Sequence, residues 1–484
     1  MNYKEIKLYA GAAEVVITPP VGLELTGWAA RAAGDNFSRF VHDDLFVRAL
    51  TLACAGKAWI YVIADVASID PVAAEQIRRG IAEATGLDPH AIMVGATHCH
   101  SAPGLHTVAL TCSHMDFLRR SVQSNGRAQD TAVAMPSTGS SFTGTIKRKI
   151  NADWRGEFIR RAVAVGIRAW QGLLPAEVAF SEENVPGVAS SRRVRLSDGS
   201  WADPRRETPR GAVVVSRTEP DNTIRLMLVR ERSSRRPLAA LINFGCHPWI
   251  FSGSGISADL AGAVCRKAAA QWTSAGGAPV VLFSTGPEGD VTAIWNIDVE
   301  NVWKSRPGET TEESLHRREQ AFTRELDRLG DILVHGAMSA IAAARDWDDQ
   351  PQIDAERLLV SLPLKDGYVT PPEILLADWQ KSAPAGRHLT ELQGLRAGAG
   401  VILGLPGEPF SAIGKAIRRK THFKSLLIAA LTNDCGEVVY VPDRQAYAEG
   451  GYEPDTFPLA SGCGEIMIKQ AVGLLGSIYS RTKK

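Results

Sequence analysis

Residues 57–98, KAWIYVIADVASIDPVAAEQIRRGIAEATGLDPHAIMVGATH, constrain the fold more than any other stretch of the chain. An apolar run near 58–64 is followed by a helical pattern and then by a second apolar run near 91–96. Asp70 can cap the helix, Pro71 suits its first position and Gly86 suits its end. Two strands joined in this way are parallel neighbours with a right-handed crossover. Both runs are continuously apolar, as expected of strands covered on both faces. Ligands in such sheets sit beyond the carboxyl ends of the strands, which is where Asp65 and His98 fall.

The same grammar recurs. RPLAALINFGCHP is an apolar run ending at His247, followed by the helical pattern ISADLAGAVCRKAAAQW with Ser257 or Asp259 near its start. APVVLFSTGPEGDVT breaks at Gly286-Pro287 and delivers Asp290 and Thr292. AGVILGLPGEPF ends near Leu405 and delivers Glu408 before a new helix, and SLLIAALTNDCGEVVYVP ends near Leu431 and delivers Tyr440. Five apolar runs thus hand a polar group to what can be one rim. The pattern predicts an α/β fold with a mixed, largely parallel central sheet flanked by helices, and a site at the carboxyl ends of the strands. With no repeat and no clear linker, residues 1–484 read as one domain. Residues 106–150 are Ser/Thr/Gly-rich and aperiodic and begin just beyond the histidines, as either a lid over the site or a plain surface loop would. Residues 304–330 alternate in charge and read as a solvent-facing helix.

Charge narrows the partners. Lys+Arg number 54 and Asp+Glu 53, a formal net charge of +1, so no overall imbalance recruits nucleic acid or holds the chain on an anionic membrane. The expected partner is a small molecule, with a homo-oligomer left open. Lys4, Glu5 and Lys7 interrupt the amino-terminal stretch, against a secretory signal, and no segment approaches a membrane span. Seven cysteines without a C-x-x-C pair fit a reduced, cytoplasmic protein.

The chemistry gathers around GATHCHSAPG, residues 95–104. Side chains alternate on an extended chain, so His98 and His100 face one way and Cys99 the other. Taken alone, H-x-H is first a hydrogen-bonded pair. His247, in CHP at another strand end, is either a core histidine or a second metal ligand. Glu408 either favours a helix N-terminus or completes a His/His/carboxylate zinc set. Cys99 and Cys246 belong in the core. GPEGDVT lacks the Gly-Lys-Ser/Thr ending of a P-loop, which argues against nucleotide binding. Asp65 and Asp259 are candidates to orient a ligand histidine, or simply to cap turns.

In order along the chain, AEVVITPPVG, VHDDLFVRALTL, GATHCHSAPG, SSRRV, NFGCHP, ISADLAG, GPEGDVT, LPGEPF and YVPDRQAYAEGGYE resemble the neutral/alkaline, non-lysosomal ceramidases, zinc-dependent hydrolases that cleave the amide of N-acylsphingosine. The resemblance implies one Zn2+ per chain, held by His98, His247, Glu408 and Tyr440. It further implies His100 as the group that moves a proton and Arg192 in SSRRV as the contact to the reacting carbonyl. Tyr452 corresponds to a second site tyrosine, and Thr292 stands where ceramidases carry a catalytic serine. Secreted ceramidases carry a signal peptide and a further β-sandwich domain, and neither pattern is read here. The expectation is therefore a catalytic domain that hydrolyses a small soluble amide rather than membrane ceramide. Rival readings are an esterase, lactonase or phosphoesterase on the same metal, or a non-catalytic zinc protein. Trp28, Trp249 and Trp295 would line the substrate pocket or pack in the core.

Overall fold

The structure is a computed structural model that describes residues 6–25, 37–103, 105, 144–202, 213–251, 253–274, 277–294, 302, 306–368, 376–434 and 438–481. Most of the 106–150 segment, Trp28 and Trp295 lie outside the described residues; from Gly144 the chain is the start of a helix.

Eight strands form the larger sheet: β1 (Tyr9–Val16), β2 (Phe46–Cys54), β3 (Lys57–Ala64), β4 (Ile92–Ala96), β5 (Leu174–Asn184), β6 (Thr223–Glu231), β7 (Pro237–Phe244) and β8 (Val280–Thr285). Their order is β8-β7-β6-β5-β1-β2-β3-β4. Only the outermost pairs, β3/β4 and β7/β8, are parallel, and the five pairs between them are antiparallel. The mixed α/β class is as expected; the largely parallel sheet is not. The error arises because antiparallel strands buried on both faces give the same unbroken apolar runs as parallel ones. β1 and β5 pair through only two residues each, Tyr9–Ala10 with Leu174–Pro175, so the sheet consists of two four-stranded halves meeting at a short seam. A second sheet contains β9 (Ile353–Pro363), β10 (Arg387–Ala397), β11 (Gly400–Gly404) and β12 (Ser425–Ala429), with β11/β12 parallel.

Alternation of side chains explains how these layers pack. Trp59, Tyr61 and Ile63 point into a core shared with Met227 and Leu241 of the other half and with Leu395, Ile402 and Leu427 of the second sheet. Ile60, Val62 and Ala64, between them in sequence, face the helices α1 (Pro71–Thr85) and α2 (Gly144–Gln171). Ala240, Ile242 and Phe244 face α3 (Asp259–Gln271) and α4 (Thr311–Ala343), and the outer face of the second sheet packs on α5 (Ser411–Arg418) and α6 (Cys463–Ser480). Three β layers therefore surround one apolar core, each with helices on its outside. Residues 311–330 of the segment predicted as a solvent-facing helix form the amino-terminal part of α4. It starts at a Thr310/Glu313 capping box and, contrary to expectation, buries a stripe of Phe322, Leu326 and Leu329 against the sheet.

Each β layer owns one parallel pair with its crossover helix: β3-α1-β4, β7-α3-β8 and β11-α5-β12. The first behaves as its residues predict: Asp70 accepts from Ala73 N, Pro71 opens the helix and Gly86 closes it in the left-handed conformation. The chain leaving β12 stitches the three units together at their carboxyl ends. Ala430 N donates to Thr285 O at 2.9 Å, Ala96 N to Leu431 O at 3.1 Å, and Asn433 N to Val94 O at 2.8 Å. Thr285 Oγ1 also donates to Thr97 O at 2.7 Å. Those hydrogen bonds bring the strand ends bearing His98, His247 and Glu408 to one place. Among the described residues, no helix is long and apolar enough to cross a membrane.

Candidate metal centre

β4 ends at Ala96, and two residues later His98 takes a left-handed backbone with φ of 65°. A non-glycine residue there is strained by roughly 1–2 kcal/mol. The extended geometry assumed from H-x-H is therefore not the one used. The turn nevertheless presents both rings to one point, with His100 Nε2 3.2 Å from His98 Nε2, and leaves Cys99 in the core. His247, three residues beyond β7, places its Nε2 3.2 Å from that of His98. Glu408 follows β11, with Oε1 3.5 Å from His98 Nε2 and Oε2 3.1 Å from His247 Nε2. His98, His247 and Glu408 are buried.

The partners of the other ring nitrogens fix the tautomers. His98 Nδ1 lies 2.7 Å from Ala67 O, and His247 Nδ1 lies 3.1 Å from Glu288 O. A carbonyl oxygen only accepts, so each Nδ1 carries a proton, and in a neutral ring the lone pair of Nε2 then points inward. Burial, and after it the Arg192 guanidinium, push His247 down to about 4, which keeps that ring neutral. Two imidazole lone pairs and a carboxylate thus converge where only a cation satisfies all three. Zinc ligands about 2.0–2.1 Å from the metal at a tetrahedral angle stand about 3.3 Å apart, and the separations here are 3.1 to 3.5 Å. The donor set fits zinc. His100 is as close to His98 as His247 is, and a ligand set of His98, His100 and His247 is also geometrically open.

Tyr440 enters on a short strand whose backbone pairs Glu408 with Tyr440, and its ring stacks at 6.3 Å on that of His247. Burial raises its hydroxyl well above the usual value. Arg192 sits with its guanidinium carbon 4.8 Å from the Tyr440 ring centre, donates to Gly289 O and pairs through Nε with Glu453 at 2.7 Å. Arg193 turns the other way, to Glu449, Glu453 and the Gly450 carbonyl, so Arg192 is the arginine on the Tyr440 side. The Tyr452 ring lies 5.9 Å from that of Tyr440. Thr292 is buried on a strand of Val291–Ala293, beside Val291, whose carbonyl accepts from His247 N at 3.4 Å. Trp249 stands 6.1 Å from the ring of His100 and is half-buried.

Three acidic residues named from sequence hold backbone instead of ligand rings. Asp65 accepts from Arg48 and from Phe46 N at 2.8 and 2.9 Å. Asp259 accepts from Ile250 N and Phe251 N, shaping the loop beyond His247. Asp290 accepts from Ser411 N at 2.6 Å and Ser411 Oγ at 2.9 Å, supplying the cap that α5 otherwise lacks. Backbone carbonyls, invisible in a sequence pattern, orient the histidines. Glu288, in the same GPEGDVT turn and not singled out from the sequence, has a carboxylate oxygen within 4.8 Å of donor atoms on His98 and Glu408. An acid immediately after a Gly-Pro break at a strand end was signal enough to include it.

No protein-family model matches the sequence, and no curated protein matches it. Solved structures do. The neutral ceramidase from Pseudomonas aeruginosa superposes with a TM-score of 0.68 at 16% identity, over 98% of this chain and 75% of that one. A ceramidase complexed with C2 gives a TM-score of 0.69 at 15% identity, over 98% and 76%. At this identity the likeness is one of architecture. The chain has, over nearly its whole length, the fold of the neutral ceramidases.

Proposed function

We propose that the protein is a zinc-dependent amidohydrolase that cleaves the C–N bond of a small soluble N-acyl compound. The observation that supports this most is the convergence of the His98 and His247 lone pairs with the Glu408 carboxylate, within 3.5 Å, in a fold shared with ceramidases. Zinc held there supplies a Lewis acid that brings a bound water toward neutral pKa and polarises an amide carbonyl. His98, His247, Glu408 and Tyr440 would hold it. The chain's own groups do the rest. His100, beside Trp249 and less buried than His98, takes a proton from the attacking water and delivers it to the departing nitrogen, so water and amide become acid and amine. Arg192 and Tyr452, on the Tyr440 side, donate to the oxygen that gains charge in the tetrahedral state. Thr292 positions water or substrate.

The test is metal content with a substrate screen of N-acyl amides, matched esters and aryl phosphates. Wild type should carry one zinc and turn over amides, with activity abolished by a chelator and restored by zinc. His98→Ala should lose most of both. Full zinc occupancy in His98→Ala, or turnover confined to esters or phosphates, would overturn the assignment.

A further inference from the structure

One strong group at the centre has no task in this scheme. Glu288 is fully buried, and among the described residues neither of its carboxylate oxygens has a hydrogen-bond partner. An isolated buried carboxylate is among the costliest groups a protein can carry, and burial and then neighbouring Glu408 push it well above the ordinary carboxylate range. One of its oxygens lies within 4.8 Å of donor atoms on both His98 and Glu408, and those three residues alone could hold a metal ion.

Its position is built rather than incidental. The Glu288 carbonyl already orients His247 through Nδ1. The next residue, Gly289, lies so close to β11's exit that a Cβ there would stand 2.3 Å from Glu408 O. Gly289 N donates to Pro409 O at 3.0 Å, and Asp290 is locked to Ser411. These contacts hold the backbone next to Glu288 against the exit of β11, with a Glu288 oxygen within 4.8 Å of donor atoms on His98 and Glu408.

We propose that Glu288 is a second carboxylate ligand of the metal centre, joining His98, His247, Glu408 and Tyr440. Two carboxylates neutralise the charge of a divalent ion in a dry pocket, where a single carboxylate leaves it net positive. The added hard oxygen donor also widens the cations the site accepts, toward manganese(II) and cobalt(II), relative to a His/His/Glu/Tyr set alone. This inference rests on the metal-centre reading above and extends it to a residue outside that donor set.

The experiment measures metal binding without turnover, on wild type, Glu288→Gln and Glu288→Leu. Zinc and manganese affinities come from chelator competition, donor number from the visible absorption of the cobalt(II) protein, and folding from the Tm of metal-free and zinc-loaded samples. Loss of a ligand should weaken zinc by at least the roughly 10- to 100-fold typical of an outer partner, and manganese more than zinc. Cobalt absorption should change between wild type and Glu288→Leu as one donor is lost. Metal-free Glu288→Leu should melt no lower than metal-free wild type, since it removes an unpaired buried carboxylate, while gaining less Tm from zinc. Wild-type affinity and an unchanged cobalt spectrum in both variants would overturn this inference alone. A wild-type protein that takes up no divalent ion would instead overturn the metal-centre reading, and this inference with it.

Discussion

At the scale of single residues, Arg192 does what a lysine could not. Its guanidinium lies over the Tyr440 ring while it donates to the Gly289 carbonyl and pairs with Glu453. Lys has no planar fork for such a set. Arg192→Lys should lower kcat/KM about 100-fold with zinc content unchanged, read by steady-state kinetics and metal analysis on the same sample. Loss of zinc together with activity would place Arg192 in the metal site's support instead. For Thr292→Ala, removal of one positioning hydrogen bond should lower kcat by about tenfold. Abolition, together with an acyl-enzyme trapped in wild type, would mark the hydroxyl as the nucleophile. His98 and His247 could be named from their strand-end positions; that they are held as Nδ1–H tautomers could not, because their partners are the carbonyls of Ala67 and Glu288.

At the scale of elements, one supersecondary unit is used three times. β3-α1-β4 supplies His98 and His100, β7-α3-β8 supplies His247 and Glu288, and β11-α5-β12 supplies Glu408 and, a few residues on, Tyr440. A strand followed by a crossover helix must turn its chain at the carboxyl end, and that turn is where a side chain escapes the ladder. The unit was legible because its apolar runs are local and, in β3-α1-β4, so are the caps Asp70 and Gly86. How tightly the turns nest is a contact property, seen at Gly289. Gly289→Ala should destabilise by about 1–3 kcal/mol and weaken zinc uptake, because the turn must withdraw from Glu408. Urea unfolding and chelator competition measure the two effects, and an unaffected metal affinity would show that the turn and the site move independently.

At the scale of the whole molecule, polar joints hold the layers in register. Arg78 of α1 and Arg357 of β9 both pair with the buried Glu391 of β10, and Arg78 also donates to Ile92 O of β4 at 2.9 Å. The two guanidiniums hold Glu391 below its ordinary value against the effect of burial. Glu391→Ala strands two arginines and should cost about 3–5 kcal/mol by denaturant unfolding. Asp259 gives a signature in pH. Burial, opposed by backbone donors, raises it from 3.8 to about 7. A raised carboxyl binds more protons folded than unfolded, so its contribution is complete below about 3.8 and is lost as pH rises through about 7. Wild type should therefore lose more stability than Asp259→Asn between about pH 5 and about pH 8, and parallel profiles would contradict the shift.

What the sequence determined is local: where apolar runs stop, which helices begin at Asp70-Pro71, and which polar residues stand at the stops. Side-chain chemistry and short-range backbone preference suffice for that. Strand direction and layer number were decided only in three dimensions, since a strand buried on both faces carries the same apolar run whether its neighbour is parallel or antiparallel. The meeting of the three strand ends depends on residues 430–433, whose backbone joins β4 and β8, the two far edges of one sheet. Backbone hydrogen bonds of that kind carry no residue signature, and so the centre they assemble exists only once the layers have closed around their common core.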